Sequence, residues 1–158
     1  ACVQVVRVTT AQQMLEATLK ALPADIAVFA AAVADYRPAE ASPQKIKKAG
    51  DQGMSLTLVQ NPDILRTVAQ GNHRPALVVG FAAETDAGIE GARQKLARKG
   101  CDWLVLNDVS DGKVFGQDDN TVTVLKKTAQ DCTAENWPSM RKQDVARRLV
   151  AEIAQSLK

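Results

Sequence analysis

The order of hydrophobic and polar positions along the chain predicts strands and helices in alternation. Val3 to Val8 is a β-branched segment typical of a strand, and Thr9 and Thr10 offer an N-cap to the helix that should follow. Ile26 to Ala32 is apolar without alternation, which is typical of a strand covered on both faces in a parallel sheet. Strand and helix units of this kind indicate a doubly wound α/β domain.

The middle of the chain continues this succession of elements. Met54, Leu56 and Leu58 alternate with Ser55, Thr57 and Val59, which predicts a half-exposed strand at a sheet edge or in a flap. Asn61-Pro62-Asp63 predicts a helix start, with Asn61 as the N-cap and Pro62 as the first helical residue. The same criteria predict a strand at Ala76 to Ala82, a helix at Ala87 to Lys99 closed by Gly100, and a strand at Trp103 to Leu106.

The last part of the chain predicts two more strands and a helix. Thr121 to Leu125 is predicted to be a terminal antiparallel strand, and Lys126 to Asn136 a hairpin or an exposed loop. Ser139 should cap a final helix at Arg141 to Leu157. Because no internal repeat or linker divides the chain, residues 1–158 are predicted to form a single domain. The final helix has a predicted buried stripe at Val145, Leu149, Ile153 and Leu157.

Composition and charge exclude several classes of protein. The chain has 158 residues, of which 46% are hydrophobic, and a formal net charge of +2, so we expect a globular domain that does not bind nucleic acid or membranes through a general basic surface. Its three cysteines are an odd number without a CxxC pair, which argues against a disulfide framework or a zinc site. The longest apolar run is too short to span a membrane, and the first residues do not form a signal-peptide pattern. The expected location is therefore the cytoplasm.

Polar clusters follow three of the predicted strands. They lie at Asp35, at Phe81 to Glu84 and at Asn107-Asp108. Since the carboxyl ends of parallel strands meet at one edge of a sheet, where ligands bind in open α/β folds, we expect the three clusters to face the same side. Taken singly, an aspartate after a strand is as often a turn former or a helix cap.

Lysines supply positive charge near the same edge. Lys45, Lys47 and Lys48 surround a single isoleucine, and Lys95 and Lys99 lie four residues apart on one helix face. Such cations suit an anion, above all a phosphate chain, although each group alone also fits an ordinary solvated surface. With the carboxylate of Asp35 and an aromatic ring able to stack on a base, the pattern indicates a nucleoside triphosphate site that uses magnesium.

Several common catalytic motifs are absent from the sequence. It contains neither a GxxxxGK[ST] phosphate loop nor a GxGxxG fingerprint. The single histidine, His73, has no catalytic partner pattern around it, which argues against a Ser-His-Asp triad. The residues alone leave the base of the nucleotide and the acceptor open.

Five motifs in order carry a resemblance to a known family. The segments AAVADYRP, KIKK, NPDI, GFAAET and NDVS resemble phosphopantothenate-cysteine ligase, the ligase half of the bacterial bifunctional flavoprotein of coenzyme A biosynthesis. The resemblance implies a three-layer α/β/α Rossmann-like (ribokinase-like) fold with a mostly parallel sheet. It also implies CTP-dependent ligation of 4'-phosphopantothenate with L-cysteine through an acyl cytidylate, giving phosphopantothenoylcysteine, CMP and pyrophosphate, with Mg²⁺ accompanying the CTP.

The same resemblance assigns roles to individual residues. Lys45 is implied to be catalytic, on a mobile cover over the nucleotide, and Asp35 to be a magnesium ligand. Asn107 and Asp108 form a possible additional site. The implied CTP contacts are Phe29, Ala30, Ala31, Asp35, Lys45, Pro62, Asp63, Ile64, Leu65, Phe81, Lys95 and Lys99.

The sequence departs from the family at its beginning. The family's first strand, glycine-rich turn and helix, with an asparagine proposed to hold the acyl cytidylate, do not occur here, so we expect the CTP half of the site. The flavin-binding decarboxylase half is also absent, so FMN is not expected on this chain, and the decarboxylase domain is its implied partner in the full-length protein. A homodimer through Thr121 to Val124 is implied as well.

Two other readings stay open. The doubly wound pattern also fits a dinucleotide-binding redox module of a flavoprotein, for which fold analogy is the sole support. A noncatalytic interaction domain is the third reading, and it would be favoured if the strand-end clusters faced different sides.

Overall fold

The computed structural model describes residues 3–40, 53–84, 88–108 and 118–157, with Glu84 and Asp108 described by their backbone. Four helices and nine strands lie in these ranges. They are α1 (Ala11–Lys20), β1 (Ile26–Phe29), β2 (Tyr36–Pro38), β3 (Leu58–Gln60), α2 (Ile64–Ala69), β4 (Leu77–Glu84), α3 (Gly88–Lys99), β5 (Trp103–Asp108), β6 (Asp119–Asn120), β7 (Val122–Lys127), β8 (Cys132–Asn136), β9 (Met140–Arg141) and α4 (Lys142–Ser156).

A mixed five-stranded sheet forms the centre of the domain, with the strand order β1-β4-β5-β7-β8. β1, β4 and β5 run parallel, whereas β7 and β8 are antiparallel to their neighbours. The predicted α/β fold is thus confirmed, and the parallel strands bring the ends of β1 and β4 to one side.

Two hydrophobic clusters cover the two faces of this sheet. On one face, Val79 and Val105 pack with Trp137 and with the α4 residues Leu149 and Ile153. On the opposite face the core contains the α3 residues Ala92 and Leu96 together with Val78, Leu104 and Leu125 of the sheet. Each fully buried valine or leucine contributes about 1.5–3 kcal/mol relative to an exposed one. Helices on both faces confirm the three-layer architecture.

Gly80 lets α2 pack close to the sheet. It lies in β4, and a Cβ added there would come within 2.6 Å of Leu65 Cδ2 and 3.3 Å of Leu104 Cδ1. A glycine normally weakens a strand interior, and it often marks a close approach of another element. Here the absent side chain leaves the space that Leu65 of α2 occupies, which fixes the start of α2 near the end of β4.

An ion pair anchors the opposite, amino-terminal side of β4 and β5. The guanidinium of Arg74 donates to both carboxylate oxygens of Asp102 at 2.7 Å. Asp102 Oδ2 also accepts the backbone N–H of Val78 at 2.7 Å. Bidentate pairs of this kind add geometric specificity to their attraction, so the entry of the chain into β4 is held against β5.

The amino-terminal predictions are partly wrong. Val3 to Val8 lies outside the strands of the described structure, and Val3 is 85% and Val5 73% exposed. A β-branched segment needs a neighbouring strand to form a ladder, and the described sheet order ends at β1. β1 itself is shorter than predicted and Val28 is 47% exposed, because an end strand is not covered as a central one is.

Two predicted helix caps are also corrected. Asp63 rather than Asn61 caps α2, since its side chain accepts the N–H of Arg66. Arg141 rather than Ser139 is the N-cap residue of α4, because Met140 first pairs with Asn120 in the short β6-β9 ribbon.

Predictions for the carboxyl-terminal part hold with two changes. β7 is not terminal, because β8 pairs with it in a hairpin, which was one of the two alternatives predicted for Lys126 to Asn136. In α4, Val145, Leu149 and Ile153 are buried as predicted, but Leu157 is half-exposed beyond the last helical residue.

Candidate functional site

A cavity of about 300 Å³ opens where β1 and β4 end. It is enclosed by the segments that follow these two strands, by the start of α2 and by one face of α3. The lining residues are Met14, Phe29, Ala31 to Asp35, Asn61 to Leu65, Phe81 to Ala83, Lys95, Lys99 and Leu104. Such a position, beyond the carboxyl ends of parallel strands, is the usual ligand site of an open α/β sheet.

The structure brings most of the predicted site residues together around this cavity. Of the predicted nucleotide contacts, Ala30 is not in its lining, and Lys45, like Lys47 and Lys48, lies outside the described residues. The contacts that do line it are Phe29, Ala31, Asp35, Pro62, Asp63, Ile64, Leu65, Phe81, Lys95 and Lys99. Segments distant in sequence thus converge on one space.

Two aromatic rings form apolar parts of the wall. Phe29 is the last residue of β1 and packs against the cluster that includes α3, whereas Phe81 in β4 packs against the cluster that includes α4. Both rings are partly buried, and both line the cavity. Aromatic faces of this kind stack on planar groups.

Asn61 ties the segment after β1 to the segment after β3. Its side-chain Nδ2 donates to the carbonyl of Ala34 at 2.8 Å, and its backbone N–H donates to the carbonyl of Asp35 at 2.8 Å. Arg37 donates to the carbonyl of Gln60 at 2.7 Å. These bonds lie beside the antiparallel β2-β3 ribbon, and they hold Asp35 at the cavity. The predicted half-exposed strand is wrong in its first part, because residues Met54 to Thr57 are not in a strand and β3 of this ribbon begins at Leu58.

Asn61 is therefore a site residue whose role the sequence did not reveal. From the local sequence, an asparagine before Pro-Asp is predicted to be a helix cap. Its actual hydrogen-bond partner, the carbonyl of Ala34, lies 27 residues away in the sequence. Asp63, two residues further along the chain, takes the capping role instead.

An ion pair between α2 and α3 lies in the cavity wall. Lys99 Nζ donates to Asp63 Oδ2 at 2.6 Å, and the side chains are 19% and 38% exposed respectively. Asp63 Oδ1 accepts the backbone N–H of Arg66 at 3.1 Å. Burial alone would raise the pKa of Asp63, but the hydrogen bonds from Lys99 and Arg66, with their positive charges, hold it below its ordinary value.

The second lysine of α3 lies one turn earlier on the same helix. Lys95 and Lys99 both line the cavity, which confirms that they share a face. With the carboxylates of Asp35 and Asp63, the wall combines positive and negative side chains. Within the described residues there is no cluster of three or more histidine, cysteine or acidic side chains that could hold a metal ion.

Asn107, at the end of β5, lies outside the cavity lining. Its Oδ1 accepts a hydrogen bond from Asn120 Nδ2 at 2.9 Å, so it links β5 to β6. The side chain of Asp108 lies outside the described structure. Asn107 is therefore not part of the cavity wall, and an additional site at Asn107 and Asp108 stays a prediction.

None of the helices in the described part of the chain is long and apolar enough to cross a membrane.

Comparison with protein families gives a match over nearly the whole chain. The family described as "DNA/pantothenate metabolism flavoprotein C-terminal domain" matches residues 1–157.

The chain belongs to this family.

Relatives of this flavoprotein C-terminal domain include two named "Coenzyme A biosynthesis bifunctional protein CoaBC". The protein from Haemophilus influenzae is 45% identical over 124 residues, which are 77% of this chain and 30% of the relative. The protein from Mycobacterium bovis is 42% identical over 161 residues, which are 96% of this chain and 38% of the relative. The chain thus spans less than two fifths of the length of these relatives.

Two solved structures share the fold. The C-terminal domain of a coenzyme A biosynthesis bifunctional protein CoaBC superposes with a TM-score of 0.73 at 31% identity, over 96% of this chain and 65% of that chain. A DNA/pantothenate metabolism flavoprotein from Streptococcus pneumoniae gives a TM-score of 0.68 at 18% identity, over 96% and 70% of the two chains, a likeness of fold alone.

Proposed function

We propose that this domain binds CTP and catalyses the CTP-dependent joining of 4'-phosphopantothenate to L-cysteine. The observation that carries the proposal is the convergence of two lysines, two aromatic rings and Asp35 on one cavity at the ends of parallel strands. Membership of a flavoprotein C-terminal domain family and relatives named for coenzyme A biosynthesis support it.

The base and the triphosphate of the nucleotide would contact different parts of the cavity wall. The pyrimidine ring stacks against Phe29 or Phe81, because aromatic faces bind planar bases with little sequence preference. The triphosphate lies towards Lys95 and Lys99, whose ammonium groups attract its oxygens. Magnesium would be held by Asp35 together with phosphate oxygens, the hard ligands that this ion prefers, and would neutralise part of the triphosphate charge.

The reaction needs two bond exchanges. A carboxylate oxygen of 4'-phosphopantothenate attacks the α-phosphorus of CTP, and the bond to the β-phosphate breaks to release pyrophosphate. The cysteine amine then attacks the acyl carbon, loses a proton, and displaces CMP. Lys95 and Lys99 stabilise the negative charge that develops on the departing pyrophosphate.

Lys45 would act from the segment between the two strands of the β2-β3 ribbon. The ribbon begins beside the cavity, since Tyr36 pairs with Gln60 next to the Asn61 tether. We propose that Lys45 orients the acyl cytidylate during its conversion to product, as a second source of positive charge.

Partners of the domain follow from the same proposal. Its relatives are bifunctional proteins more than twice its length, so we propose a decarboxylase domain in the full-length protein. A homodimer is proposed too. However, β7 is paired on both sides, with β5 and β8, so an interface through Thr121 to Val124 has no free strand edge to use.

Calorimetric titration with CTP in the presence of magnesium tests the proposal. Wild-type protein should bind CTP more tightly than ATP, and Lys95→Met should weaken CTP binding by about tenfold through loss of one charged hydrogen bond. Lys20→Met, an exposed lysine at the end of α1, is the matched control and should bind as wild type does. Equal affinity for CTP and ATP, or tighter binding of FMN than of either, would refute the proposal.

A further inference from the structure

We propose that Asp63 is a positioning residue, whose carboxylate holds Lys99 towards the phosphate chain and does not itself contact the nucleotide. This inference rests on the proposed function, because it assigns a task to one residue of the same cavity. It differs from the resemblance, which counts Asp63 among the CTP contacts.

Both carboxylate oxygens of Asp63 already accept hydrogen bonds. Oδ1 accepts the N–H of Arg66 at 3.1 Å and thereby caps α2, and Oδ2 accepts from Lys99 Nζ at 2.6 Å. A carboxylate has no hydrogen to donate when ionised. Asp63 can therefore offer phosphate oxygens nothing but repulsion, unless a cation stands between them.

Lys99 is that cation. An ammonium group has three N–H donors, so Lys99 can keep its bond to Asp63 while it donates to a phosphate oxygen. Its side chain is 19% exposed, which is low for a residue type that is mostly solvated. The ion pair thus holds a flexible side chain in the cavity wall before the ligand arrives, which reduces the ordering that binding would otherwise require.

A second contact keeps the two helices together without this ion pair. Gln70, at the end of α2, donates from Nε2 to the carbonyl of Arg98 at 3.2 Å. In addition, Val68 and Ala69 of α2 are buried, and Ala69 shares the cluster that contains Leu96 of α3. Removal of the Asp63 charge should therefore release the Lys99 side chain and leave the helices in place.

Asp63→Asn tests this idea with little change in shape. Asparagine is as good an N-cap as aspartate, so the bond to Arg66 can persist while the charge that holds Lys99 is lost. Lys99→Met removes the ammonium, and Asp63→Asn/Lys99→Met removes both. Asp144→Asn is the matched control, because Asp144 pairs with Arg147 on the exposed face of α4.

The readout is the dissociation constant for CTP with magnesium and for inorganic tripolyphosphate, a probe without a base. Asp63→Asn alone should weaken binding of both ligands by about tenfold, the loss expected when a charged hydrogen bond no longer orients Lys99. In the Lys99→Met background, the effect of Asp63→Asn on the affinity for both ligands should have the opposite sign. There the bare Asp63 carboxylate repels the ligand, so Asp63→Asn should strengthen binding relative to Lys99→Met.

The other outcomes refute the positioning role. If Asp63→Asn weakens CTP binding equally with and without Lys99, Asp63 contacts the nucleotide directly. If Asp63→Asn alone tightens binding, Asp63 is a competitor of the phosphate. The titrations with tripolyphosphate distinguish failure of the positioning role from failure of the proposed function. The proposed function fails if CTP binds no more tightly than ATP or tripolyphosphate.

A measurement without any ligand completes the test. Acetylation of Lys99 by a small reagent, followed by mass spectrometry, should be slow in the wild type and several-fold faster in Asp63→Asn, because the wild-type ammonium is held by the carboxylate. An unchanged acetylation rate would overturn the inference whether or not the nucleotide binds. Thermal melting of each variant confirms that it is folded.

Discussion

Replacement of Gly80 by alanine should damage the cavity more than the fold. The new Cβ would lie 2.6 Å from Leu65 Cδ2 and 3.3 Å from Leu104 Cδ1. Favourable carbon contacts lie at about 3.5–4.0 Å, so Leu65 must withdraw by roughly 1 Å. Leu65 lines the cavity and is only partly buried, and the open side available to it is the cavity itself.

The cost to stability should be small because two effects oppose each other. Overpacking costs about 1–3 kcal/mol, while a glycine in a strand already costs about 0.5–1 kcal/mol relative to alanine. A net loss of about 1 kcal/mol in the free energy of unfolding follows. The shifted Leu65 narrows a cavity of only about 300 Å³, so we expect the dissociation constant for CTP to rise about tenfold, equivalent to about 1.4 kcal/mol.

Two measurements on the same protein separate these effects. Urea unfolding gives the change in stability, and calorimetric titration gives the CTP affinity. Gly53→Ala is the matched control, since a Cβ there meets no atom within 4 Å, and Leu65→Ala in the Gly80→Ala background should restore binding. Wild-type affinity in Gly80→Ala, or a loss of stability above about 3 kcal/mol with no rescue by Leu65→Ala, would refute the reasoning.

Two further predictions concern titratable groups away from the cavity. Burial would raise the pKa of Glu152, but hydrogen bonds from Lys126 and Arg148 lower it below its ordinary value. The ionised Glu152 therefore stabilises the fold above its unfolded pKa, and this stabilisation is lost as the pH falls through the lowered folded pKa. In Glu152→Gln, the urea midpoint of unfolding should depend less on pH between about pH 6 and pH 3 than it does in the wild type. Burial raises the pKa of the Cys101 thiol to about 11, so iodoacetamide at pH 8 should label Cys132 before Cys101 in folded protein, and equal labelling would contradict this.

The sequence predicted the elements of the fold better than their contacts. Apolar runs identified β4 and β5, and the spacing of Lys95 and Lys99 placed both on one face of α3. These patterns are local in sequence, and the strands and the helix of the structure match them. The prediction of a strand at Val3 to Val8 was wrong because it too used local information. β-branched residues indicate a tendency to pair, but they do not show whether a neighbouring strand exists.

The candidate site shows the same division between local and distant information. The resemblance supplied most of the residues that line the cavity, but the bonds that arrange them join residues far apart in sequence. Asp63 and Lys99 are 36 residues apart and Asn61 and Ala34 are 27 apart. Local spacing cannot reveal such pairs, so the tethering role of Asn61 was visible only in the folded chain.

The core beneath α4 is largely separate from the cavity, because no residue of α4 lines it. The cluster beneath α4 contains Leu149 and Ile153 and lies opposite the face that carries α3. Substitutions that strengthen α4 packing should thus be available to protein engineering at little cost to the cavity. Phe81 is where the two meet, because it packs against the α4 cluster and lines the cavity. Through this ring, a shift in α4 would reach the cavity.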